Sequence, residues 1–274
     1  RLDLGTGESQ LVTPGDGVQA MVLAHNRWHP TTVLVGLNAD NPMLHDIYRF
    51  DLSSRAFDKV ETNPGYAGWL IDSDLAVRGG VAMTPEGGAI VYLRDPATGK
   101  DARWLEISPD EVATTGVYGF NREGDALFLL SSAGVNASRL LRIDLVTGDE
   151  TVLAEDPSYD VAAVLSHPDT LEPQSVVFLE DREEWVHLDP ALGTEIDSLR
   201  SRLRGEISIS RSERTDRRWL VSDTPSDGPV HYHVYDRDSR ELRFLFAHQA
   251  ELDAYELAVM EPFRFTARDG LEIH

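Results

Sequence analysis

Apolar and polar residues alternate with period 2 in short runs that Gly, Pro, Asp and Asn interrupt. This is the pattern of half-buried β-strands, not the 3.6-residue period of amphipathic helices. Two kinds of turn punctuate the runs. The first is a polar turn between apolar stretches, at Trp28-His29-Pro30-Thr31, Thr84-Pro85-Glu86-Gly87-Gly88, Asn121-Arg122-Glu123-Gly124, Ser166-His167-Pro168-Asp169 and Glu213-Arg214-Thr215-Asp216. The second closes an alternating strand on an aspartate, at Asp51, Asp144, Asp189 and Asp236. With Pro30, Pro85, Arg122, Pro168 and Thr215 as markers, the first turn recurs in steps of 55, 37, 46 and 47 residues. The second follows each marker by 21 or 22 residues, and after Pro85 the strand-ending Ile107 takes the place of the Asp.

Each unit reads as four short strands, in the first at 18–25, 32–36, 46–52 and 57–61. A four-stranded unit repeating at roughly 40–50 residues is the signature of a propeller blade. The expected fold is therefore all-β, a β-propeller with about five full blades plus half a blade. The half blade falls on residues 1–13, where Asp3 precedes Asp51 by 48 residues. One helix is expected, at 190–204, because Ile196, Leu199 and Leu203 share a face behind Pro190. It reads as an insertion in the fourth full blade. The expected division is a propeller over 1–260 and a separate segment over 261–274.

Charge narrows the partners. The 274 residues carry 47 acidic and 25 basic side chains, a formal net charge of −22. Such a surface repels phosphate backbones and anionic membranes, so neither nucleic acid nor membrane is an expected partner. No apolar run approaches the roughly 20 residues that span a bilayer. Cysteine is absent, which removes disulfides, thiol nucleophiles and thiolate metal ligands and suits a cytoplasmic protein. The first residue is Arg1, with no signal pattern, and reads as an internal start.

Several stretches also carry a family resemblance. They are Val35-Gly36-Leu37-Asn38, His45-Asp46-Ile47-Tyr48-Arg49-Phe50-Asp51-Leu52, Asn63-Pro64-Gly65 and Gly68-Trp69-Leu70-Ile71-Asp72-Ser73-Asp74-Leu75-Ala76-Val77-Arg78. Asp216-Arg217-Arg218-Trp219-Leu220-Val221 and 228–237 follow in the same order. In this order the chain resembles the propeller of prolyl oligopeptidase family serine peptidases, in the acylaminoacyl-peptidase-like branch. The segment Pro262-Phe263-Arg264-Phe265-Thr266-Ala267-Arg268-Asp269-Gly270, running on to His274, resembles that family's crossing into an α/β-hydrolase domain. The resemblance implies a Ser-His-Asp triad on the hydrolase domain. Residues 1–274 hold no Gly-x-Ser-x-Gly elbow, so no catalytic residue is carried over. What it implies for this chain is a non-catalytic lid that gates peptide access. The partners are then the hydrolase domain of the same parent chain and short peptides, with no cofactor.

Three residues are candidate substrate contacts. Arg78 offers a guanidinium fork to a substrate carboxylate or carbonyl, against a purely structural pairing with Asp72 or Asp74. Glu183 and Glu184, between two strands, offer carboxylates to a substrate amine, against plain solvation. His25 with His29, and His231 with His233, lack a third ligand nearby in sequence, so no metal site is expected. The five tryptophans are spread through the units, which favours blade packing. Gly79-Gly80 and Gly87-Gly88 are assigned to turns. The alternative function is a stand-alone TolB-type protein-binding propeller. A metal-dependent propeller enzyme is disfavoured because the innermost strands, 18–25 and 161–165, are largely apolar.

Overall fold

The computed structural model describes every residue except Arg1, Pro14, Asp16, 212–214, Leu271 and His274. Glu213 and Arg214 of the last polar turn therefore lie outside the described residues, as do Arg1, Leu271 and His274 of the terminal segments. The fold is a β-propeller. Residues 1–113 form one compact unit and 114–274 another.

The first unit carries two blades. Blade 1 is β1 (Ala20–Ala24), β2 (Thr32–Asn41), β3 (Leu44–Asp51) and β4 (Phe57–Glu61); blade 2 is β5 (Gly68–Ile71), β6 (Val77–Met83), β7 (Ala89–Arg94) and β8 (Asp101–Ile107). The second unit carries three. Blade 3 is β9 (Gly116–Phe120), β10 (Ala126–Ser131), β11 (Arg139–Asp144) and β12 (Glu150–Ala154); blade 4 is β13 (Val161–Ser166), β14 (Pro173–Leu179) and β15 (Glu183–His187). Blade 5 is β16 (Glu206–Ser210), β17 (Arg218–Thr224), β18 (His231–Asp236) and β19 (Glu241–Ala247). Within each blade the strands pair antiparallel in chain order.

The expected repeat holds with one shift. Thr84-Pro85-Glu86-Gly87-Gly88 joins the second and third strands of blade 2, whereas the other polar turns join first and second strands. The equivalent turn is 72–76, and the missing aspartate is Asp95, which follows Asp74 by 21 residues. With Asp74 as marker, the uneven steps of 55 and 37 become 44 and 48. Any tight hairpin recruits Gly, Pro and Thr, so composition alone cannot say which hairpin of a blade a turn belongs to. The first glycine pair is likewise no turn: Gly79 and Gly80 lie within β6. A Cβ on Gly79 would come 2.0 Å from the Tyr92 carbonyl oxygen, and one on Gly80 would come 2.2 Å from the Tyr66 ring.

One loop recurs after the third strand. Asp51, Asp95 and Asp144 each accept the backbone N–H groups two and three residues on, at 2.9 and 2.7 Å, 2.7 and 3.1 Å, and 2.9 and 2.8 Å. The residue four on is left-handed in each, Arg55 (φ 63°), Gly99 (φ 68°) and Gly148 (φ 81°), and its N–H returns to the aspartate carbonyl. Asp3 makes the same loop with Gly5, Thr6 and Gly7, flanked by a single bridge pair of Leu2 with Ser9. The half blade expected over 1–13 is thus represented by its closing turn.

Blade 4 departs from four strands. In place of a fourth strand the chain forms α1 (Pro190–Arg200), four residues shorter than expected. Asp189 caps it, accepting the Ala191 and Leu192 N–H groups at 3.0 and 3.3 Å, and Pro190 needs no partner in the first turn. Beyond Ser201, tighter bonds from Arg202 N–H to Leu199 and from Leu203 N–H to Arg200 end the helix and turn the chain toward β16.

The core lies between successive blades. Leu34 and Ile47 of blade 1 pack with Trp69, Ile71 and Leu75 of blade 2. Phe128 and Leu140 of blade 3 pack with Val176 and Phe178 of blade 4. Leu192, Ile196 and Leu199 of α1 fill the space between Trp185 of blade 4 and Trp219, Val221 and Tyr235 of blade 5. Blades are therefore apolar on both faces, which explains strand sequences such as Ala126-Leu127-Phe128-Leu129-Leu130.

Candidate functional site

In the second unit a cavity of about 740 Å³ opens where blades 4 and 5 present the turns between their second and third strands. Leu179, Glu180, Asp181 and Arg182 come from the β14–β15 turn, and Thr224, Pro225, Ser226 and Asp227 from the turn after β17. Arg204, Gly205 and Glu206 lead into β16, and Met260, Glu261, Pro262 and Phe263 close the wall. Gly205 permits the close approach of these strands, because a Cβ there would lie 2.1 Å from the Thr224 carbonyl.

Three ion pairs ring the opening. One guanidinium nitrogen of Arg204 donates to both Asp227 oxygens at 2.7 and 2.8 Å, Arg182 meets Glu206 at 3.5 Å, and Arg264 meets Asp181 at 3.0 Å. The last pair ties the 261–274 segment to the blade 4 turn. Upstream, the 3-10 helix Ala250–Ala254 is held to blade 5 by Asp253 and His231, 3.2 Å apart.

The sequence candidates fall in different places. Glu183 opens β15 beside the cavity and is half-buried, while Glu184 points to the other face of the strand and is exposed. Burial pushes the Glu183 carboxyl up from its ordinary range; the Trp185 indole N–H, donating at 3.2 Å, opposes this, and the charge of Glu206 adds to it. The acidic neighbour that Glu183 feels is therefore Glu206, from a different blade. Arg78 lies in the first unit, at the 72–76 turn of blade 2, where its guanidinium donates to Asp72 at 3.0 Å.

One constellation escaped the sequence reading. Ser175 Oγ lies 2.9 Å from His187 Nδ1, and His187 Nε2 lies 3.4 Å from Asp197 on α1. The residue types are those of a hydrolytic triad. Ser175, however, is 0% exposed in the middle strand of blade 4, so no acyl carbon can reach its oxygen. The array fastens α1 to the blade. Nothing in the spacing 175, 187, 197 signals it, because the helix brings Asp197 back against β15.

A second polar cluster, around Arg237, is structural. Arg237 forks onto Glu195 of α1 at 2.8 to 3.2 Å, reaches Asp216 at 2.6 Å, and stacks 4.5 Å over Trp219. Burial raises the Asp216 carboxyl, but Arg211, the Trp219 indole and Arg237 outweigh it and hold the group below its usual range. Among the described residues no helix is long and apolar enough to cross a membrane.

Fold and strand order define the chain as a β-propeller segment. No family model matches it. It is 32% identical over 270 residues to the dipeptidyl aminopeptidase BIII of Pseudoxanthomonas mexicana, covering 98% of this chain and 39% of that protein. It is 28% identical over 280 residues to the dipeptidyl peptidase family member 6 of Caenorhabditis elegans, covering 93% and 36%. The solved structure of puromycin hydrolase superposes with a TM-score of 0.54 at 16% identity, over 97% of this chain and 44% of that one. The chain belongs with the propeller domains of the prolyl oligopeptidase family. It spans less than two fifths of the length of the two curated relatives.

Proposed function

We propose that the chain is the non-catalytic propeller of a serine peptidase, covering an active site carried by an α/β-hydrolase domain and admitting short peptides. The observation that carries this reading is the 32% identity over 98% of the chain to a dipeptidyl aminopeptidase of which it forms 39%. The relatives bear dipeptidyl-peptidase names, so release of dipeptides is favoured over the acylaminoacyl activity expected from sequence. On this reading residues 1–260 form the propeller and 261–274 the crossing, and the cavity between the turns of blades 4 and 5 faces the substrate. Glu183, beside that cavity, is the first candidate to meet a substrate amine. Glu184 and Arg78 are the further substrate contacts proposed. A chain without cysteine suits a cytoplasmic setting.

The test uses the full-length protein. A fluorophosphonate probe should label one serine outside residues 1–274, and short peptides should be cleaved while folded proteins are spared. Deleting 1–260 should abolish that size discrimination. Absence of any labelled serine would overturn the proposal.

A further inference from the structure

Three large apolar side chains converge on the cavity although each is mostly exposed: Leu179 at 60%, Met260 at 72% and Phe263 at 71%. Such a grouping in a concave site marks a binding surface, because apolar area left in water is unfavourable at roughly 25 cal/mol per Å². Pro225 and Pro262 extend the apolar wall.

The charges on the rim restrict what can enter. Arg182, Arg204 and Arg264 are engaged by Glu206, Asp227 and Asp181. The lining holds two arginines against five carboxylates, Glu180, Asp181, Glu206, Asp227 and Glu261. The surplus negative charge repels a carboxylate ligand and offers no free cation to receive it.

We infer that this cavity is a specificity subsite that accepts a bulky, uncharged apolar residue of a peptide and rejects an acidic one, with Leu179, Met260 and Phe263 as its selecting wall. The inference rests on the peptide-gating function proposed above and adds a substrate class to it. Its volume of about 740 Å³ holds such a side chain together with its flanking backbone.

Peptides with a free N-terminal amine and an amidated C-terminus, identical except for one residue, Leu or Glu, test this on the full-length protein. Calorimetry should show the Leu peptide binding about tenfold or more tightly than the Glu peptide. Leu179→Asp should abolish the preference. Leu179→Arg, which adds a cation at an exposed position, should bring the Glu peptide up to or above the Leu peptide. That gain cannot arise from misfolding. Equal binding of both peptides, binding of neither, or a preference unchanged in both variants would overturn the inference. Hydrolysis is read separately. Preference without hydrolysis removes the peptidase reading and leaves the subsite, whereas hydrolysis indifferent to Leu179 removes the subsite and leaves the peptidase.

Discussion

At the scale of single residues, stability is concentrated where a long side chain meets several partners at once. Arg237 joins α1 to blade 5 through Glu195, satisfies Asp216 and lies on the Trp219 ring. Removing it leaves Glu195 without its guanidinium partner in a partly buried setting, while Asp216 keeps Arg211 and the Trp219 indole; losing such charged hydrogen bonds costs about 1–3 kcal/mol. Arg237→Ala should therefore lower the urea midpoint by a corresponding amount. Arg237→Lys should recover little, since one ammonium cannot reproduce the planar fork or its stacking. A loss below about 0.5 kcal/mol, the range of exposed pairs, would show that the cluster is merely superficial. Nothing in the spacing of Glu195, Asp216 and Arg237 announced this cluster. It depends on the helix that replaces a strand.

Among the elements, the hairpin loops were the most legible in sequence, because their chemistry is local. An aspartate, two backbone N–H donors and a left-handed position four residues on are all encoded within six residues. The expectation slipped only in blade 2, where Thr84-Pro85-Glu86-Gly87-Gly88 carries equally good turn chemistry and drew the register one strand away from Asp95. Bonds from the backbone N–H groups hold Asp51, Asp95, Asp144 and Asp236 below the ordinary aspartate range. A carboxyl whose folded value is depressed contributes stability above its unfolded value, near 3.9, and loses it as pH falls through the folded one. The urea midpoint should fall between pH 7 and pH 3, and fall less in an Asp95→Asn, Asp144→Asn variant, which keeps the acceptor oxygen but not the titration. Parallel pH profiles for the two proteins would refute the assignment. The helix after Asp189 was legible, but that it stands in place of a fourth strand in blade 4 was not, for a different reason. Pro190 to Arg200 has helical capping and an apolar face, and a repeat argument alone gives no hint that a blade can close with a helix.

For the molecule as a whole, a formal charge of −22 on 274 residues sets up self-repulsion that the ion pairs offset only locally. Salt shortens the Debye length to about 10 Å at 0.1 M, so repulsion between distant carboxylates fades before contact pairs do. The melting temperature should rise between about 0.02 M and 0.3 M sodium chloride, a range that spans this screening. A fall would mean that contact pairs such as Arg204 with Asp227 dominate. The cavity belongs to this scale too. Its walls come from residues 179–182, 204–206, 224–227 and 260–263, stretches that no sequence period links. The sequence offered Glu183 only as one of a carboxylate pair with Glu184, and its neighbour Glu206 not at all, because only the packing of blade 5 against blade 4 brings Glu183 and Glu206 together.

The six-residue aspartate loop reaches beyond stability. Each copy closes most of its own hydrogen bonds, and in blades 1 and 3 its second residue adds one bond to the hairpin before it, from Leu52 N–H to Thr31 and from Leu145 N–H to Asp125, so the two hairpins of a blade are tied at one rim. The unit that keeps its own bonds at that rim is therefore the whole blade, and only its apolar faces need a neighbour. A chain assembled from such units can lengthen or shorten by whole blades, and blade 4, with a helix after Asp189, shows that the corner itself can also be replaced.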